Sequence, residues 1–144
     1  MQQHSPTSIF KAYDIRGRYP EEINELVVAE IVKTLARHWR TAKRPKGKQV
    51  FNGIIVIGHD ARLSSPALYK AVLETLNSKS YILNPLPVGA ITTPMLYFLV
   101  NYFNAAGGIM VTASHNPKEY NGLKVVGPNA EPIGGKDVAA LLES

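Results

Sequence analysis

The chain has 144 residues, 45% hydrophobic and 19% charged, with a net charge of +5. That is enough for one folded domain with a real core. The absence of cysteine excludes disulfides, thiolate catalysis and thiolate metal sites. The strongest apolar run, residues 95–100, is far too short to span a bilayer, so no membrane partner is expected.

The first eight residues have neither a basic start nor an apolar core, and no signal peptide is expected there. An apolar piece begins at Ile9 and Phe10 and breaks at Asp14-Ile15-Arg16-Gly17. A helix is predicted over 22–39, because Ile23, Val27, Ile31 and Leu35 fall on one face while Glu22, Glu30, Lys33 and Arg37 cover the other. Arg40, Lys43, Arg44, Lys46 and Lys48 then form a basic segment. No aromatic residues interleave to stack on bases, so it reads as a solvated loop and not as a nucleic-acid patch. The β-branched run 54–57 predicts a buried parallel strand. Ser65 as N-cap and Pro66 at the first helical position predict a second helix, with Leu68, Ala71, Val72 and Leu76 inside.

A weak strand is predicted at 81–83 and a proline-rich loop at 85–90. Thr93 and Pro94 open a third helix, and 108–112 is a buried strand. The short strand 123–126 is predicted to return beside it as an antiparallel edge, and a last helix follows Gly135. The alternation predicts an α/β fold: a three-layer sandwich with a mostly parallel sheet, one antiparallel edge strand and helices on both faces.

In open α/β sheets, ligands gather beyond the carboxyl ends of the strands. Three polar clusters are predicted on that rim: residues 13–17, 58–62 and 112–117. In the last, Ser114 emerges from a strand into a turn of His115, Asn116 and Pro117, and Lys124 returns on the next strand. A serine hydroxyl facing a lysine suits phosphoryl transfer, where charge neutralisation does most of the catalytic work. Arg16 fits either a phosphate clamp or a turn-fixing partner for Asp14. Asp60 and Arg62 read as a structural pair that ties the rim, and His59 as a solvated histidine.

Ser114 and His115 are neighbours, which does not make a catalytic triad, and no Gly-x-Ser-x-Gly elbow is present. His115 is equally a general acid or base and a packing residue. The three aspartates, Asp14, Asp60 and Asp137, are scattered, so no carboxylate cluster is expected to hold a metal. A non-catalytic phosphate- or anion-binding module on the same rim is the alternative from another class. A nucleic-acid binder through the basic segment is a third.

The ordered string Thr112-Ala113-Ser114-His115-Asn116-Pro117, running on to Tyr120-Asn121-Gly122-Leu123-Lys124, resembles the active-site signature of the α-D-phosphohexomutases, the phosphomannomutase/phosphoglucomutase family. Lys11-Ala12-Tyr13-Asp14-Ile15-Arg16-Gly17 resembles the family's opening motif, and 58–64 its second, with His59 where arginine is common. The resemblance implies that residues 1–144 are domain 1 of a longer, cytoplasmic enzyme whose other domains are absent here. That enzyme would interconvert hexose 1- and 6-phosphates of glucose or mannose through a phosphoserine and a bisphosphate intermediate.

By the same resemblance Ser114 carries the phosphoryl group, and Arg16 and Lys124 stabilise it in flight. His115 assists proton transfer, while Tyr13 and Asn116 join Arg16 and Lys124 in binding the phosphosugar. Magnesium is implied on the phosphate of Ser114, its other ligands lying outside this chain, and hexose 1,6-bisphosphate is implied as activator. The implied partners are the phosphosugar substrate and the remaining domains. The isolated domain is expected to turn over little or no substrate.

Overall fold

A computed structural model describes residues 7–41 and 52–144; Lys43, Arg44, Lys46 and Lys48 of the basic segment lie outside the described residues. The elements in order are β1 (Ile15–Arg18), α1 (Glu25–Thr41), β2 (Ile54–His59), α2 (Ser65–Leu76), β3 (Asn84–Ala90), α3 (Thr93–Tyr102), β4 (Gly107–Val111), β5 (Tyr120–Val126), β6 (Pro132–Ile133) and α4 (Gly135–Glu143). The sheet runs β1-β5-β4-β2-β3, with β6 also on β5. β4, β2 and β3 are parallel, and β5 runs antiparallel to both β4 and β1.

Side-chain alternation along the strands divides the interior in two. Ile55, Ile57, Ile109, Val111, Leu123 and Val125 face one way and pack beneath α1 and α2, with Val138 of α4 in the same cluster. Val56, Met110 and Val126 face the other way and pack beneath Leu96 and Val100 of α3. Each large aliphatic side chain buried this way contributes about 1.5–3 kcal/mol. The result is the three-layer α/β sandwich, with helices on both faces.

Several local expectations shift. The first strand is Ile15–Arg18; Ile9 ends a short 3-10 turn and Phe10 makes only an isolated bridge to Ile15. Arg16 thus lies within a strand and not in a loop after one. The antiparallel strand β5 is not the edge, because β1 pairs along its outer side, Ile15 opposite Leu123 through Arg18 opposite Tyr120. α1 begins at Glu25, where the Asn24 carboxamide oxygen accepts from the Val27 N–H at 3.0 Å. The cap of α3 is Thr92, whose hydroxyl accepts from Met95 N–H at 3.3 Å, and not Thr93. Ser65 does not cap α2; its hydroxyl goes to Asp60.

The strand predicted at 81–83 is instead β3, Asn84–Ala90, which includes Pro85 and Pro87. Two prolines argue against a central strand because they lack N–H donors. β3 is an edge strand, however, and the Asn84 N–H turns inward to Gly53 C=O at 2.8 Å. Residues 85 and 87 alternate outward from it, so their missing donors fall on the free side of the sheet.

Candidate active site

β4 ends at Val111, and residues 112–119 carry the chain back into β5. Ser114 is half-buried in this loop and adopts a left-handed backbone, φ +56°. That conformation costs an L-residue about 1–2 kcal/mol and persists only where surroundings enforce it. Here the Ser114 N–H donates to Thr112 Oγ1 at 3.0 Å. The Asn116 N–H and side-chain amide both donate to Ala113 C=O, at 3.1 and 2.8 Å. The backbone donor of Asn116 and one donor of its side-chain amide are therefore spent on the loop itself.

The second polar cluster ties this loop to the start of α2. Asp60 accepts from Ser65 Oγ at 2.5 Å, Thr112 Oγ1 at 2.8 Å and the Arg62 N–H at 3.1 Å, and pairs with Arg62 Nε at 3.1 Å. Partial burial alone would raise the Asp60 carboxyl; the hydroxyls of Ser65 and Thr112 and the Arg62 amide and charge outweigh it, and its pKa is lowered. The expected Asp60–Arg62 pair is therefore present, but it reaches further: the Arg62 guanidinium also donates to carbonyls of the serine loop and to that of Tyr120 at the start of β5. That reach was not legible, because sequence spacing does not say which loop lies beneath an arginine. Buried Asn121 completes the tie by donating to Ser64 Oγ at 2.7 Å and Ser65 Oγ at 3.0 Å.

Directly opposed residues on neighbouring strands share a sheet face. Arg16 is opposite Gly122 and Arg18 opposite Tyr120, and Lys124 lies two residues along from Gly122, so Arg16, Arg18 and Lys124 project from one face. α3 packs on β2 and β4 on that side, and no described helix makes a comparable contact with β1 or β5 there. The serine loop adjoins this open half, since the Thr112 N–H bonds Gly122 C=O at 3.0 Å. Arg18 also sits over the Tyr120 ring, 5.9 Å from its centre.

Both readings of Arg16 find material: Nε lies 2.8 Å from Asp14 Oδ1, while a third of its side chain remains exposed. The contact is close but misaligned, and neither atom makes a true hydrogen bond. Asp14 is buried and Tyr13 is 80% exposed just before β1. His115 is exposed and Lys124 half-buried. His59 is not freely solvated as expected: it is half-buried, edge-on to Tyr69 at 4.6 Å, with Nδ1 2.7 Å from the Asp60 carbonyl. A cleft of about 450 Å³, lined by His59, Asp60, Ile91, Thr92, Met110 and Thr112, opens beside the loop.

The residues present do not fit a complete magnesium site. Among the described residues no three His, Asp or Glu groups gather. Asp60 is already committed to Arg62, Ser65 and Thr112, and Asp14 to Arg16. Nor, among the described residues, is any helix long and apolar enough to cross a membrane.

The family model described as "Phosphoglucomutase/phosphomannomutase, alpha/beta/alpha domain I" matches residues 7–144. A protein named "Phosphohexose mutases" from Xanthomonas campestris pv. campestris is 44% identical over 124 residues, covering 86% of this chain and 25% of that protein. A "Phosphomannomutase" from Klebsiella pneumoniae is 39% identical over 138 residues, covering 93% of this chain and 80% of that sequence. The crystal structure of a phosphoglucomutase/phosphomannomutase family protein from Burkholderia thailandensis superposes with a TM-score of 0.79 at 29% identity, covering 97% of this chain and 30% of that one. The chain thus spans about a quarter of the Xanthomonas protein's length. Fold and sequence agree over almost the whole length, and the chain belongs to the phosphoglucomutase/phosphomannomutase family, as its alpha/beta/alpha domain I.

Proposed function

We propose that this chain is the phosphoryl-carrying domain of a cytoplasmic phosphohexomutase that interconverts hexose 1- and 6-phosphates of glucose or mannose. Ser114 is the carrier. A hydroxyl of the bound sugar phosphate attacks the phosphorus on Ser114 Oγ; the new sugar O–P bond forms as the serine O–P bond breaks. The proton of the attacking hydroxyl leaves to a base, a role assigned to exposed His115, and Ser114 Oγ takes up a proton as it departs, regenerating the serine hydroxyl. The bisphosphate reorients and returns its other phosphoryl group to Ser114, and the hexose bisphosphate itself primes the unloaded enzyme.

Arg16 and Lys124 offset the charge on the transferring group, where preorganised cations act most strongly. Tyr13, exposed beside β1, and the carboxamide oxygen of Asn116 are assigned to the substrate. The single observation that carries the reading is the seating of Ser114: held in a strained turn at a strand end, it borders the open sheet face that presents Arg16 and Lys124. Sugar recognition, and the ligands that a magnesium ion on the phosphoserine would need, are assigned to further domains of a longer protein.

Prolonged incubation of the 144-residue chain with glucose 1,6-bisphosphate, followed by intact-mass and peptide analysis, tests this. One phosphoryl group on Ser114, absent from Ser114→Ala, is expected. Binding of the bisphosphate without any transfer would replace this reading with that of a phosphate-binding module. Steady turnover of glucose 1-phosphate by the chain alone is not expected, and finding it would overturn the assignment of substrate-holding groups to other domains.

A further inference from the structure

Residues 112–119 contain no helix or strand, yet the loop is fixed on both sides of Ser114. The group that fixes it comes from a distant part of the chain. The Arg62 guanidinium donates from one terminal nitrogen to Ser114 C=O at 2.7 Å and Asn116 C=O at 2.9 Å. From the other it donates to Pro117 C=O at 2.8 Å and Tyr120 C=O at 3.2 Å. With Nε on Asp60, all five N–H donors are engaged, and the side chain is only 14% exposed.

We infer that Arg62 is a positioning residue for the phosphoryl carrier: its planar fork gathers three carbonyls of the serine loop and that of Tyr120 at the start of β5, and Asp60 anchors the fork. The left-handed turn at Ser114 is thereby held before any substrate arrives. The inference rests on reading Ser114 as the carrier.

Three features separate this from an ordinary surface arginine. The acceptors run from Ser114 in the turn through Asn116 and Pro117 to Tyr120 at the start of β5, so one group fixes the segment from the turn to the next strand. Asp60 holds the loop at two points, through Arg62 and through Thr112, whose hydroxyl in turn accepts the Ser114 N–H. Lysine could not substitute, because its three donors radiate from one nitrogen and cannot span two pairs of carbonyls. Loss of the fork would leave four carbonyls to find water, and would release the strained backbone at Ser114.

Two measurements on the 144-residue chain test it, comparing wild type with Arg62→Ala and Arg62→Lys. The first is amide hydrogen exchange. Peptides spanning 112–121 are expected to exchange about tenfold faster or more in Arg62→Ala, since hydrogen bonds to a charged donor are lost. Peptides from α1 and β2 are expected to keep their protection. If Arg62→Ala does not fold, Arg62→Lys decides, with a smaller acceleration confined to the same peptides. Loop protection equal to wild type in a folded variant would overturn the inference.

The second is the loading of Ser114 from glucose 1,6-bisphosphate. Arg62→Ala is expected to lower the maximal rate by about a hundredfold, the scale of a misplaced reacting group, with little change in the half-saturating concentration. Low concentrations of guanidinium ion are expected to restore part of that rate. Loading at the wild-type rate by the variant would also overturn the inference. If wild type itself never loads, the mutase reading falls, and the exchange result alone decides whether Arg62 orders the loop.

Discussion

Ser114 carries a left-handed φ of +56° that glycine would adopt without strain. Ser114→Gly is therefore expected to raise thermal stability by up to about 1 kcal/mol while abolishing loading, a trade that marks a functional residue. A melting curve beside a mass spectrum checks both halves; lower stability would show that the serine side chain contributes more than the strain removes. In the proposed mechanism Lys124 and Arg16 act by charge, so Lys124→Ala and Arg16→Ala are each expected to slow loading by about a hundredfold with the fold intact. An unchanged loading rate in either variant would remove that residue from the site. Both residues stood out in the sequence, because a cation after a short strand and an arginine before a glycine are visible locally. The role of Arg62 toward the loop was not, since it depends on contacts between positions 52 to 58 residues apart.

At the level of elements, the antiparallel pairing of β1 with β5 sets Arg16 across from Gly122. A Cβ on Gly122 would run into the Ile15 carbonyl oxygen, so the two strands approach closely only because this position has no side chain. Gly122→Ala is expected to destabilise the chain by about 3 kcal/mol, the upper range for overpacking, and to displace Arg16. Chemical denaturation measures the first and loading of Ser114 the second; wild-type stability would mean that the strands separate freely. Gly134 and Gly135 do similar work for α4, whose start seats against the backbone of Lys11, Ala12 and Asp14. The central strands and the four α-helices of the described residues were legible from hydrophobic periodicity. β1 and β3 were misjudged for one reason: edge strands need little apolar sequence and tolerate residues that a central strand excludes.

Across the molecule, the polar network around Asp60 joins β2, α2, β4 and the serine loop, so its protonation bears on the whole fold. The folded carboxyl titrates below its ordinary value of 3.8. Its contribution is complete above that value and disappears as pH falls through the lower folded value. Wild type is therefore expected to lose more melting temperature than Asp60→Asn on acidification below about pH 4. Parallel melting curves for the two proteins would show that the ionised carboxylate contributes nothing. By itself the sequence determined the alternation of strands and helices, the two-sided burial of the sheet and the serine-bearing turn, because periodicity and turn chemistry act over a few residues. The strand order, the common face of Arg16 and Lys124, and the closing of Arg62 over the loop were decided only in three dimensions. They depend on which distant segments lie side by side, and backbone pairing and packing of the assembled sheet settle that, not local preference.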